Sequence, residues 1–230
     1  MSSAPVVSPL SEPEGGRRRP RALLPCVIRF DDPHQAERRR VEAFIEDSYA
    51  SAWGSRITVH YPTLMSVQDE SGEIYAVVGF SSAAEEPLFL EQYLDAPVES
   101  ALTTLLGASV GRGAVVEIGS LASNGRGATI FLFAALARHL LASGAEFAVA
   151  TATDALRGIF HRAGLGSLKL ATANPDRLID HGLSWGAYYR ADPEVLAGSI
   201  RAACEPLDRF ADETEVARAV RTRLHFRSRP

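Results

Sequence analysis

Hydrophobic and polar positions along the chain alternate between strand-like and helical periods. Leu23 to Phe30 is a largely apolar run that predicts a first strand, which Pro25 places near a sheet edge. A helix follows, with Asp32 at its N-cap and Pro33 at its first position. Its apolar face is Val41, Phe44, Ile45, Tyr49 and Ala52, opposite Arg38, Arg39, Arg40, Glu42 and Glu46. Met65 to Gln68 and Glu73 to Phe80 flank Asp69-Glu70-Ser71-Gly72 and read as a hairpin. A short helix opens at Pro97 and carries Val98, Ala101, Leu102 and Leu105.

The next segment has a stronger pattern. Ala114 to Ala122 is an apolar strand, Ser123 to Gly127 a small-residue turn, Ala128 to Leu141 an apolar helix stopped by Gly144, and Phe147 to Thr151 another strand. A strand, helix and strand in that order predict two parallel strands joined by a right-handed crossover. Beyond them the pattern predicts a helix over Asp154 to Ala163, a strand near Leu168 to Ala171, and a turn at Asn174-Pro175-Asp176. A strand at Trp185 to Tyr189, a helix opening at Asp192-Pro193 and a C-terminal helix from about Asp212 complete the reading. Residues 1–22 carry four prolines among serines and arginines, and read as a disordered tail without the apolar core of a secretory signal. The expected organisation is that tail, one domain over 23–207, and a basic helical tail over 208–230.

Composition narrows the chemistry. The chain has 230 residues, 46% hydrophobic and 23% charged, which suits a soluble globular domain. Its 24 basic and 28 acidic residues give a net charge of -4, so neither nucleic acid nor an anionic membrane is an expected partner. Cys26 and Cys204 form neither a zinc cluster nor a disulfide framework, which favours the cytoplasm. Lys169 is the only lysine, so a lysine-bearing P-loop cannot be written. The six histidines show no metal-ligand spacing, and no metal is expected. The longest apolar run, Ala128 to Ala137, ends at Arg138, too short to span a bilayer, and reads as a buried helix.

Three motifs carry candidate chemistry. Gly107-Ala108-Ser109-Val110-Gly111 spells a nucleophile elbow, but it follows a helix and enters a strand, the reverse of what an elbow requires. Asn124-Gly125-Arg126-Gly127-Ala128 lies between a strand and a helix, where backbone N–H groups and the helix dipole favour an anion. It is either a phosphate site or a tight connection. Glu117 sits inside Ala-Val-Val-Glu-Ile-Gly. It is either a buried carboxyl with a raised pKa suited to base catalysis, or the outer face of an alternating strand.

Four blocks in order make the chain similar to the thermostable hemolysin family. They are Glu86 to Leu94 (EPLFLEQYL), Val116 to Ser123 (VEIGSLAS), Thr151-Ala152-Thr153 with Leu156, Arg157 and Phe160, and Trp185 to Tyr189 (WGAYY). The resemblance runs from about Val41 to Ile200. It implies relatedness to GNAT-type acyltransferases and acyl-homoserine-lactone synthases. The implied fold is an α/β (α+β) domain whose GNAT-like mixed, mostly antiparallel sheet has a splayed parallel strand pair and helices on both faces. The implied co-substrate is acyl-CoA or another phosphopantetheine thioester, with an acyl carrier protein as a possible partner and an amine-bearing small molecule as acceptor. On that basis Glu117 and Glu91 are the expected catalytic residues. Tyr93, Asp95, Arg157 and Trp185 are expected to bind substrate. Gly119, Ser120 and Leu121 are expected against the thioester, with Asn124, Gly125, Arg126, Gly127 and Ala128 against its phosphates. Where the family has asparagine, this chain has Ser120, and Phe160 stands where a GNAT-type tyrosine acid would fall. The family name also suggests a membrane-active protein, and the departures a noncatalytic acyl-ligand module.

Overall fold

The computed structural model describes residues 23–29, 36–124, 127–213 and 223–224. In chain order these form β1 (Leu23–Arg29), α1 (Ala36–Trp53), β2 (Thr63–Asp69), β3 (Ile74–Ser82), α2 (Val98–Leu106), β4 (Val115–Ser123), α3 (Ala128–Ala142), β5 (Phe147–Ala152), α4 (Asp154–Arg162), β6 (Leu168–Thr172), β7 (Glu194–Ser199), α5 (Ile200–Glu213) and β8 (Arg223–Leu224). Short 3-10 turns occupy Phe89–Tyr93, Leu183–Trp185 and Tyr188–Ala191, among others.

The strands form one sheet in the order β6-β7-β5-β4-β3-β2-β1-β8. Neighbours are antiparallel except β4 with β5 and β1 with the two-residue β8. The parallel pairing read from the sequence therefore holds, with α3 joining the two strands. Strand periodicity divides the core. Val78, Phe80 and Val116 pack with Phe131, Leu132 and Leu136 of α3 and with Leu207 of α5, whereas Leu64 and Val77 face Val41 and Ile45 of α1. Helices thus cover both faces, as the mixed-sheet reading expects.

Two features open the sheet at its centre. Pairing of β4 with β5 covers only Val115 with Phe147, Val116 with Ala148, and Glu117 with Val149, although β4 continues to Ser123 and β5 to Ala152. Beyond Glu117 the parallel pair splays. On the other side of β4, Val77 faces Ala122 and Gly79 faces Gly119, so Ser120 and Leu121 together oppose Val78. This bulge bends the strand, and Ser120 adopts φ 50, a left-handed conformation uncommon outside glycine and asparagine.

The C-terminal third departs from the sequence reading. Trp185 to Tyr189 is not a strand: it winds through two 3-10 turns, and Ala187 N–H donates to Trp53 O at 2.8 Å. Gly186, at φ 58, lies so close to the backbone of Trp53 and Gly54 that a Cβ would overlap them. Asp192-Pro193 precedes β7 rather than a helix, because Val195, Leu196 and Ala197 are buried between β5 and β6 on either side. The helix begins at Ile200 and runs past both the expected 207/208 boundary and Asp212. The expected tail over 1–22, the Asp32-Pro33 cap and most of the C-terminal tail lie outside the described residues.

Candidate active site

The splay creates a pocket of about 220 Å³ between β4 and β5. Its floor is Glu117 to Leu121 of β4 with Ala150 and Thr151 of β5. Leu156, Ile159 and Phe160 of α4 close one side, and aromatic rings from α1 and the loops close the other.

Glu117 is 2% exposed and lines this pocket. Its Oε1 accepts from Tyr61 Oη at 2.9 Å and from Leu90 N–H at 3.2 Å, while Oε2 is buried with no hydrogen-bond partner. Burial pushes the carboxyl up to about 7, against the opposing pull of the Tyr61 hydroxyl and the Phe89 and Leu90 amides. A group balanced near neutrality, with one free oxygen, is suited to taking a proton. Of the two sequence readings of this residue, the buried one holds.

Tyr61, which sequence reasoning missed, lies across β3 and β4 where both strands carry glycine. A Cβ at Gly79 would meet its ring at 2.7 Å, and one at Gly119 would overlap its hydroxyl. Two glycines on neighbouring strands signal such a close approach, but their partner is visible only in three dimensions. Tyr49, Trp53, Phe89 and Tyr188 were also missed as pocket residues. With Tyr93 and Trp185, they line the pocket.

Other expected site residues divide. Gly119, Ser120, Leu121, Tyr93 and Trp185 join Glu117 at the pocket. Glu91 does not line it. Its carboxylate accepts from Leu88 N–H and Val98 N–H at 2.9 Å each and pairs with Arg112 at 2.7 Å, which holds it down to about 2. These contacts fix the turn that carries Leu90, whose N–H bonds to Glu117. Asp95 lies on the surface, paired with Arg177 at 2.7 Å. Arg157 donates to Asp192 O at 2.7 Å and pairs with Asp154 and Glu194, tying α4 to β7 rather than facing the pocket.

At the start of α3, Gly127 adopts φ 75 as the N-cap and Ala128 is fully buried. Asn124 N–H donates to Tyr75 O at 3.0 Å, fastening the end of β4. Gly125 and Arg126 lie outside the described residues. Among the described residues, no group of histidine, cysteine, aspartate and glutamate side chains is arranged to hold a metal ion. None of their helices is long and apolar enough to cross a membrane.

A second cavity, of about 90 Å³, lies beneath α3, α4 and α5 and is almost wholly apolar. Ile118, Phe133, Ala150 and Phe160 line both cavities, so the two are adjacent.

Solved structures share this architecture. The CoA-dependent acyl-homoserine lactone synthase BjaI, with SAM and isopentyl-CoA, aligns over 88% of this chain and 94% of its own at 14% identity and a TM-score of 0.60. The AHL synthase LasI aligns over 80% and 95% at 13% identity and a TM-score of 0.56. FeeM, an N-acyl amino acid synthase from uncultured soil microbes, aligns over 84% and 96% at 12% identity and a TM-score of 0.50. At such identities the likeness is one of fold, and that fold is GNAT-like. No curated protein sequence matches the chain. The family profile described as Thermostable hemolysin matches residues 31–204, most of the chain and all of the splayed pair, and the chain belongs to the thermostable hemolysin family.

Proposed function

We propose that this protein is an N-acyltransferase that moves an acyl group from a phosphopantetheine thioester, acyl-CoA or an acylated carrier protein, to an amine. The observation that carries the reading is the unpartnered, buried Oε2 of Glu117 at the mouth of a splayed strand pair. That oxygen takes a proton from the incoming ammonium, leaving a neutral amine. The amine nitrogen attacks the thioester carbonyl, a C–N bond forms and the C–S bond breaks. The leaving thiolate takes a second proton from the nitrogen, so the products are an amide, a free thiol and one proton passed to solvent through Glu117.

The remaining parts fit that step. Backbone N–H groups of Gly119 to Leu121, reoriented by the bulge, are the donors to the developing oxyanion, a contribution of about 3 kcal/mol per donor. The N-terminus of α3, where Gly127 is exposed and Ala128 is buried behind it, receives the diphosphate of the donor through its backbone N–H groups. The apolar cavity past Phe133 and Phe160 receives an acyl chain longer than acetyl.

Thiol release from acyl-CoAs of graded length, with a panel of amines, tests the reading. Amine-dependent release is expected, and Glu117→Gln should lower it about 100- to 10,000-fold. Tight binding of the donor with no release to any amine, from CoA or carrier protein, would instead identify a noncatalytic acyl-ligand module.

A further inference from the structure

Resting on that reading, we infer that the acceptor is an apolar, preferably aromatic, amine that lacks a carboxylate, rather than an amino acid. The inference comes from what faces Glu117 across the pocket. Tyr49 and Tyr188 stack with centroids 6.3 Å apart, Trp185 packs on Tyr188 at 5.1 Å, and Phe89 joins Trp185 at 5.7 Å and Tyr93 at 6.1 Å. These rings form a continuous aromatic wall on the side of the sheet that carries the Glu117 carboxyl.

The polar ends of that wall are largely occupied elsewhere. The hydroxyls of Tyr93 and Tyr189 bond to each other at 2.5 Å, Tyr188 donates to Thr151 O at 3.2 Å, and Tyr61 donates to Glu117. Among the described residues, the pocket is lined by no arginine, lysine or histidine. A carboxylate brought into it would find no cation and would approach Glu117, the one ionised partner available, with the same sign of charge. An ammonium meets the opposite situation. Ring faces attract it, and the free carboxylate oxygen accepts its proton. An aryl or branched alkyl group attached to that nitrogen extends the ring-to-ring packing already present.

Calorimetric titration and thiol release on the full chain, using matched pairs at about pH 8, test the inference. Phenethylamine is compared with phenylalanine and tryptamine with tryptophan, with octanoyl-CoA as donor for the release assay. The decarboxylated member of each pair should bind, and react, at least about tenfold better. Trp185→Leu should weaken amine binding about tenfold while the protein remains folded by thermal unfolding. Equal or better use of the amino acids overturns the inference, as does failure of both amines to bind at millimolar concentration. The two readings separate cleanly. Turnover of amino acids leaves acyl transfer standing and removes the acceptor class, whereas amine binding without thiol release from acyl-CoA or an acylated carrier protein keeps the amine-binding wall and removes acyl transfer.

Discussion

Replacing Glu117 by glutamine removes a titrating group without changing its shape, and the consequence for stability follows from its environment. The carboxyl is held near 7 instead of the ordinary 4.5, chiefly by burial. That difference corresponds to about 3 kcal/mol. Its sign is fixed by linkage. Below about pH 4.5 the group is protonated whether the chain is folded or not, and nothing is lost. Between about 4.5 and 7 the unfolded chain releases a proton that the folded chain retains, so stability falls with rising pH, and above 7 the full penalty is present. Glutamine carries no such dependence. Its amide adds a constant cost, because a buried N–H pair replaces Oε2, but that cost does not vary with pH. Thermal unfolding of the wild type and Glu117→Gln, side by side from about pH 4.5 to 8.5, isolates the effect because every other titrating group cancels in the difference. The variant should gain on the wild type by about 3 kcal/mol across that range, or roughly 2–4 °C for each kcal/mol in a chain of this size. A gap that stays constant with pH refutes the buried, proton-holding carboxyl.

The neighbours of Glu117 give further expectations. Tyr61→Phe removes a hydroxyl that stabilises the ionised carboxylate, so the rise of activity with pH should move upward by about one pH unit or more. Gly119→Ala places a methyl group on the Tyr61 hydroxyl. It should cost roughly 1–3 kcal/mol in thermal unfolding and depress thiol release by displacing the bond to Glu117. Arg112→Ala strands the partly buried Glu91 carboxylate and should destabilise by roughly 1–3 kcal/mol at neutral pH. Because Arg112 holds Glu91 down to about 2, the stability of this pair is present above about pH 4.5 and lost as pH falls through 2. An acid titration of the variant should therefore show less of that loss, the remainder coming from the Leu88 and Val98 amides that still hold Glu91 down. Ala203→Phe fills the apolar cavity from α5 and should shift the preferred acyl chain shorter, with about tenfold or greater discrimination against the longer chain.

Much of this was legible from local pattern. The strand, helix and strand from β4 to β5 carry a continuous apolar signal and a glycine stop, and the parallel pairing followed from the connection. Glu117 stood out as a carboxyl in an apolar run, though only the fold decides that it points inward, since alternation alone permits either face. Glu91 and Asp95 share a short segment, and sequence does not distinguish a carboxylate saturated by Arg112 from one left free. Trp185 to Tyr189 reads as a strand in sequence because its aromatic residues favour strands, while the docking of Gly186 on the end of α1 is a long-range constraint. Asp192-Pro193 resembled a helix start, yet burial between two strands decided the conformation of β7. Tyr61 carried no local signal of function, because its role depends on two glycines brought beneath it by β3 and β4.

A crystal structure with a non-hydrolysable thioether analogue of octanoyl-CoA tests the wedge most directly. The pantetheine arm is expected between β4 and β5 just beyond the Glu117–Val149 pair, with the carbonyl mimic against Gly119 to Leu121. The diphosphate should lie at Gly127 and Ala128, and the alkyl chain should pass Phe133 and Phe160. An analogue bound elsewhere, with the gap between the strands closed by Ile118 and Phe133, would contradict the acyltransferase site at its root.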